Sequence, residues 1–324
     1  MIDRNNLKYN YGKGSEKLMN EDEILRVLPI DISNEIKNYL ANESLQEIRI
    51  KANKPIIIIL SNKEIILRRV ATVNDIKQIL VRISNYSLYA YEEELKQGYI
   101  TIKGGHRVGI AGECVISKGE VRTIRNISSI NIRICREVKG CSNEIMKYIV
   151  FNDKVYNTLI ISPPKCGKTT ILRDIARNIS NGMPINNLVG KKVSIIDERS
   201  EIASCFNGVP QLDVGLRSDI LDNCFKKDGM IMAIRSLSPE ILVCDEIGTK
   251  GDIEALNMAF NSGVNIIITI HGYSIEDVYK RKVLNDLLEN SILERIVVLS
   301  NRKGPGTIEN IYSIGTGGEF KCLK

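Results

Sequence analysis

No stretch of this 324-residue chain approaches the roughly 20 apolar residues that a membrane-spanning helix needs, although 43% of the residues are hydrophobic. The run Ile56-Ile-Ile-Ile-Leu60 is only strand-length and is bounded by Pro55 and Ser61. The opening Met1-Ile-Asp-Arg-Asn-Asn is polar and lacks the apolar core of a signal peptide. The expectation is a cytoplasmic protein that meets a membrane only indirectly. Histidine is scarce, with two copies, and the eight cysteines include no C-x-x-C pair. That pattern argues against zinc. In the cytosol the thiols stay reduced, and most read as small core fillers. The base-reading Asn-Lys-x-Asp of GTPases is missing too.

Charge is uneven. Residues 1–150 hold 24 Lys/Arg against 18 Asp/Glu, and residues 151–324 hold 21 of each, so the net +6 lies in the first half. Much of it falls in 101–150, including Lys103, Arg107, Arg122, Arg125, Arg133, Arg136 and Lys139. A basic stretch suits nucleic acid, an acidic protein or anionic lipid. Aromatics are few there and not interleaved with the basic residues, so a base-stacking platform is poorly supported and nucleic acid is disfavoured.

What is present is concentrated in the second half. Ser162-Pro163-Pro164-Lys165-Cys166-Gly167-Lys168-Thr169-Thr170 follows the apolar run 157–161 and precedes Ile171-Leu-Arg-Asp-Ile-Ala-Arg177, which has helical spacing. Strand, tight loop and helix carrying Gly-Lys-Thr make a P-loop. Its amides and the helix N-terminus favour an anion. Lys168 reaches the β/γ-phosphates, and Thr169 offers its hydroxyl to Mg²⁺. The pattern departs from the common form at Ser162, where Gly is usual, and at Lys165, where Gly is frequent. Serine is tolerated there if its φ is negative; Lys165 adds charge beside the phosphates or points into water. Cys166 lies inside the loop, where alkylation or oxidation would block nucleotide.

A second motif sits where the first requires it. Ile241-Leu-Val-Cys-Asp245-Glu246 is a continuous apolar run ending in two acids, the form of a strand buried on both faces. Asp245 would hold Mg²⁺ through water, and Glu246 would orient or deprotonate the attacking water. Two further strands end in polar chemistry: Val193–Ile196 before Asp197-Glu198-Arg199, and Val264–Ile270 before His271-Gly272. Open α/β sheets bind ligands beyond the carboxyl ends of their strands. A strand between the two motifs implies the RecA-like branch of P-loop ATPases, with a strand-end Glu.

These motifs, with Ile196-Asp-Glu-Arg-Ser-Glu-Ile202, Met230–Pro239, Thr269-Ile-His-Gly272 and Gly104–Gly112, resemble the stage III sporulation protein AA family. Six motifs recur in order over nearly the whole chain. That family is similar to the hexameric ATPases of type II and type IV secretion. The resemblance implies ATP and Mg²⁺ as ligands and a homo-oligomer, a hexamer by analogy. It also implies membrane-protein partners from the sporulation channel operon. The activity implied is an ATPase in the mother cell that powers or assembles a channel to the forespore. Asp197, Glu198 and Glu201 lie where the relatives have an acidic box. His271 lies at their histidine box, as a γ-phosphate sensor. Glu246 is the first candidate for base and Glu198 the second. A ring enzyme also needs a cation from a neighbouring subunit, for which Arg199, Arg217, Arg235, Arg133 and Arg136 are candidates. Two rivals stay open: an ATP-dependent nucleic-acid motor, and a scaffold that binds ATP without hydrolysing it.

The expected fold is an α/β RecA-like domain over 141–324, with a smaller α+β domain over 21–140 and a frayed segment over 1–20. In the smaller domain the spacing suggests helices at 21–27, 32–40, 74–83 and 88–97. Strands are expected at 45–50, 56–60, 65–70, 99–103, 108–116 and 131–135, and His106 reads as a structural residue in a turn. In the larger one, helices are expected at 142–150, 169–180, 219–235, 252–262 and 275–287. Strands are expected at 157–161, 192–196, 241–244 and 264–270, and a hairpin over 295–313 at the sheet edge. Residues 137–150 read as the hinge.

Overall fold

The computed structural model describes residues 23–40, 45–84, 91–184, 187–284, 287–288, 292–315 and 318–324. The segment 1–20, expected to be frayed, and the first residues of the helix expected at 88–97 lie outside them. The chain forms two compact units that divide between Arg136 and Glu137.

The first unit is built on six antiparallel strands: β1 (Leu45–Lys51), β2 (Lys54–Leu60), β3 (Glu64–Ala71), β4 (Tyr99–Ile102), β5 (His106–Ser117) and β6 (Glu120–Arg133). Their order is β3-β2-β1-β6-β5-β4. Alternation decides the faces. Ile56, Ile58 and Leu60 of β2 are buried with Ile48 and Ile50 of β1 and Ile130 and Ile132 of β6. Against them pack Ile32, Ile36 and Leu40 of helix Ile30–Leu40, and Ile76, Ile79 and Ile83 of helix Val73–Ile83. The second of these helices starts at a capping box, in which Thr72 and Asp75 satisfy each other's backbone N–H. His106 is buried and its Nδ1 accepts the N–H of Cys135 at 3.1 Å. β6 begins at Glu120 rather than near 131, and with β5 it forms one long hairpin. Residues 120–126 have no apolar alternation to announce a strand because most of them are exposed.

The second unit carries a mixed sheet of β7 (Thr158–Ser162), β8 (Val193–Asp197), β9 (Ser218–Asp222), β10 (Ile241–Cys244), β11 (Asn265–His271), β12 (Arg295–Ser300), β13 (Thr307–Ile314) and β14 (Phe320–Cys322). The order is β9-β8-β10-β11-β7-β12-β13-β14. The strands from β9 to β12 run parallel, and β13 and β14 are antiparallel to their neighbours. Every residue of β7, β8 and β10 is buried, as expected of parallel strands covered on both faces. Successive side chains serve opposite cores. Ile160, Ile195 and Val243 meet Leu172, Ile175 and Ile179 of helix Lys168–Asn181. Leu159, Ile161 and Leu242 meet Met230 of helix Lys226–Ser236 and Leu256 of helix Lys250–Asn261.

Four expectations fail here. The helix expected over 219–235 is a strand, β9, followed by a helix that starts only at Lys226. The helix expected over 275–287 is interrupted at Arg281, with a short helix, Glu276–Lys280, before it and a 3₁₀ turn, Lys282–Leu284, after it; residues 285–286 lie outside the described residues. The β12–β13 hairpin is not the sheet edge, because β14 lies outside it. Only Cys166, Cys205 and Cys244 are buried, so most cysteines are not core fillers.

The stretch read as a hinge is fastened within the second unit. Asp174, on helix Lys168–Asn181, accepts the N–H of Gly140 at 3.0 Å and the N–H and hydroxyl of Ser142, each at 2.8 Å. Burial raises the Asp174 carboxyl, but those donors and Arg177 outweigh it and hold it below the usual aspartate range. Helix Asn143–Ile149 follows directly and buries Ile145, Met146 and Ile149.

Candidate active site

Lys168, Thr169, Asp245, Glu246 and His271 meet beyond the carboxyl ends of β7, β10 and β11. These strands are neighbours in the order β10-β11-β7, so the motifs converge although 74 residues lie between Thr170 and Asp245. Ser162 ends β7 outside the left-handed region, so the first loop position needs no glycine. Pro163 is half-buried and Pro164 exposed. Lys165 is exposed and takes φ 61°, the left-handed conformation that usually selects glycine. Gly167 follows at φ 79° and caps the helix. A Cβ there would lie 3.4 Å from Gly306 N and 3.5 Å from Pro305 Cβ. The β12–β13 turn thus leans on the loop, and Gly306 N donates to Cys166 O at 2.8 Å. Left-handed residues alternating ahead of a 14-residue helix make a nest for an anion.

Lys168 is 5% exposed. Its Nζ lies 3.1 Å from Asp245 Oδ1 and 3.1 Å from Glu246 Oε1. Thr169 Oγ1 donates to Asp245 Oδ2 at 2.8 Å. These two hard oxygen donors fit Mg²⁺, which prefers such ligands. Glu246 has φ 56°. Besides Lys168, its carboxylate meets Arg199 Nη1 at 3.1 Å and His271 Nε2 at 2.7 Å. Burial pushes the Glu246 carboxyl up, but Lys168, His271 and Arg199 outweigh it and hold it below the ordinary glutamate value. His271 Nδ1 is buried with no partner among the described residues.

The acidic box divides. Asp197 is 2% exposed and accepts the N–H groups of Glu201, Ile202 and Ala203 at 2.8, 2.9 and 2.8 Å. Its carboxylate therefore shapes the loop. Burial pushes Asp197 up to about 6 against those amides, and the charge of Asp222 adds to the rise. Glu198 is paired with Lys226 Nζ. Glu201 offers its carbonyl to Arg173 Nη2 at 2.7 Å. Of the arginine candidates, only Arg199 reaches the site within the chain. Arg217 precedes β9, at the opposite end of the parallel strands, and donates to Ser180 O at 3.0 Å. Arg235 is exposed in the last turn of its helix. Arg133 and Arg136 belong to the first unit, where Arg133 is exposed and Arg136 Nε donates to Leu45 O at 3.3 Å.

Sequence reasoning missed two groups here. Lys226 was hidden in a stretch read as mid-helix. Thr269 stands as one hydroxyl in an aliphatic strand, a signal that was available. Its Oγ1 donates to Asp245 Oδ1 and accepts the N–H of Glu246 at 2.9 Å.

Comparisons with known proteins bear on the fold and the family. The chain is similar to the ATPase DotB of Legionella pneumophila, with a TM-score of 0.57 and 14% identity over 91% of this chain and 80% of that one. It is also similar to the pilus retraction motor PilT solved with bound ADP, with a TM-score of 0.54 and 14% identity over 93% and 81%. At that identity the likeness shows the fold alone: α/β, RecA-like, preceded by a smaller unit. Stage III sporulation protein AA of Bacillus subtilis strain 168 is 45% identical over 293 residues, 90% of this chain and 94% of that one. The family model for sporulation stage III, protein AA, matches residues 18–317. With a match across nearly the full length and a P-loop fold beneath it, the chain belongs to the sporulation stage III protein AA family.

Proposed function

We propose that this protein hydrolyses MgATP as a ring-forming motor, a hexamer. It powers or assembles a secretion-like channel between mother cell and forespore. It works from the mother-cell cytoplasm, held at the membrane by partner proteins of the sporulation channel operon. The observation that carries the reading is the convergence of Lys168, Thr169, Asp245 and Glu246 at adjacent strand ends.

Residues 162–170 receive the phosphates. Lys168 exchanges its two carboxylate partners for phosphate oxygens. Thr169 and Asp245 would hold Mg²⁺, which would supply positive charge to offset that of the phosphates. Glu246, released from Lys168, orients the attacking water and takes its proton. Glu246 is preferred over Glu198 because Lys226 occupies the latter. His271 orients the Glu246 carboxylate, and its solvent-facing edge senses the γ-phosphate. Arg199 is engaged within its own chain, which favours the exposed Arg133 and Arg235 as cations offered to a neighbouring subunit.

Phosphate release by the wild type, measured beside Lys168→Ala and Glu246→Gln over a range of protein concentrations, tests this. The expected result is activity rising more than linearly with concentration and lost by at least about 100-fold in both variants. Glu246→Gln should still bind ATP. Unchanged turnover in Glu246→Gln would remove it as the base. Stimulation by DNA with a steep salt dependence would favour a nucleic-acid motor instead.

A further inference from the structure

Thr269 is fully buried in the run Ile266-Ile-Ile-Thr-Ile270 of β11. A valine would suit that strand as well, and a hydroxyl buried there costs free energy unless it is bonded. Both bonds of this hydroxyl go to the segment that leaves β10, while the backbone of Thr269 also pairs in register with Ile160 of β7. The parallel ladder between β10 and β11 ends at the pair Cys244–Ile268. Beyond it, Thr269 takes over. Its hydroxyl donates to Asp245 Oδ1 and accepts the N–H of Glu246 at 2.9 Å, and its carbonyl accepts the N–H of Ile247 at 2.9 Å. One residue therefore grips three successive residues of the neighbouring segment. The middle one, Glu246, stands at φ 56°, which a side-chain-bearing residue adopts only when its surroundings over-determine it.

We propose that Thr269 is the positioning residue of the site. Its hydroxyl aims the Asp245 carboxylate at Thr169 and pins the Glu246 backbone in the left-handed conformation from which its carboxylate reaches Lys168 and His271. The inference rests on the hydrolase reading for its effect on turnover, but not for its effect on metal-dependent binding. A hydroxyl has one hydrogen and two lone pairs, so one group serves both residues. Valine keeps the shape and the strand preference and removes both bonds. Serine keeps both.

The test compares wild type, Thr269→Val and Thr269→Ser in full-length protein. ATP affinity is measured with Mg²⁺ and with chelator, steady-state phosphate release is split into kcat and KM, and Tm is recorded. In Thr269→Val the tightening of ATP binding by Mg²⁺ should fall roughly tenfold and kcat about a hundredfold, with affinity in chelator unchanged. Thr269→Ser should recover most of both. A merely structural threonine would lower Tm and leave the Mg²⁺ effect intact. The proposal is overturned if Thr269→Val keeps the Mg²⁺ effect and kcat within about threefold of wild type, a margin too small for a residue that orients metal ligands. If Thr269→Val does not fold, Thr269→Ser and Thr269→Ala decide in the same assays, and equal Mg²⁺ effects in those two would overturn it. A wild type that binds ATP but releases no phosphate removes the hydrolase reading alone, because the Mg²⁺ effect still judges Thr269. A wild type that binds no ATP removes both.

Discussion

Lys165 and Glu246 both hold left-handed backbone angles, φ 61° and 56°, yet only one needs its side chain there. Glu246 is surrounded by Lys168, Arg199 and His271. Lys165 points outward and is exposed. Replacing Lys165 with glycine removes the clash of Cβ with the carbonyl, at the expense of a more flexible unfolded chain. We expect Lys165→Gly to be more stable by about 0.5–1 kcal/mol, read from the urea midpoint at constant m-value. A less stable variant would mean that the lysine side chain holds the loop. The sequence marks position 165 as unusual without revealing the backbone angle that makes it so. The identities of Lys168, Thr169, Asp245 and Glu246 were legible because their chemistry dictates residue type. Who pairs with Glu246 was not, because Arg199 and His271 reach it from different strands.

Strand pairing explains a second unusual residue. β8 and β9 run parallel with Asp197 directly beside Asp222, and burial raises both carboxyls. Asp197 titrates at about 6 in the folded chain, against an ordinary value of 3.8. A carboxyl raised on folding favours the protonated native state. Its stabilising contribution is therefore complete below about 3.8 and lost as pH rises through about 6. The gap corresponds to roughly 3 kcal/mol. The stability difference between wild type and Asp197→Asn, measured by denaturant unfolding from pH 4 to 7, should change by an amount of that order and level off above the upper end. A flat difference would mean that the amides of residues 201–203 keep Asp197 ionised throughout. β9 itself was illegible as a strand. Ser218-Asp-Ile-Leu-Asp222 has no continuous apolar run because it lies at the end of the sheet order and is only half-buried. The interior strands β7, β8, β10 and β11 were read readily because burial on both faces leaves an apolar run with one polar end. Likewise the outer half of β6 gave no signal, since exposure removes the alternation on which strand reading depends.

At the scale of the whole chain, each unit has its own hydrophobic core. The candidate site residues Lys168, Thr169, Asp245, Glu246, Thr269 and His271 all belong to the second unit. A chain of residues 137–324 is therefore expected to unfold cooperatively on its own and to bind ATP within about tenfold of the full-length affinity, that is, within about 1.4 kcal/mol. Calorimetry and equilibrium binding check this, and a non-cooperative transition would show that the second core depends on the first. The short cut at residue 137 keeps Gly140 and Ser142, and with them the bonds to Asp174. Those bonds enter the helix of the P-loop barely one turn beyond Thr170. A tensile force arriving along the backbone from residue 136 would not be absorbed by slack in residues 137–149. It would be delivered to the helix that begins at Lys168, so the tether and the phosphate loop share a single mechanical anchor.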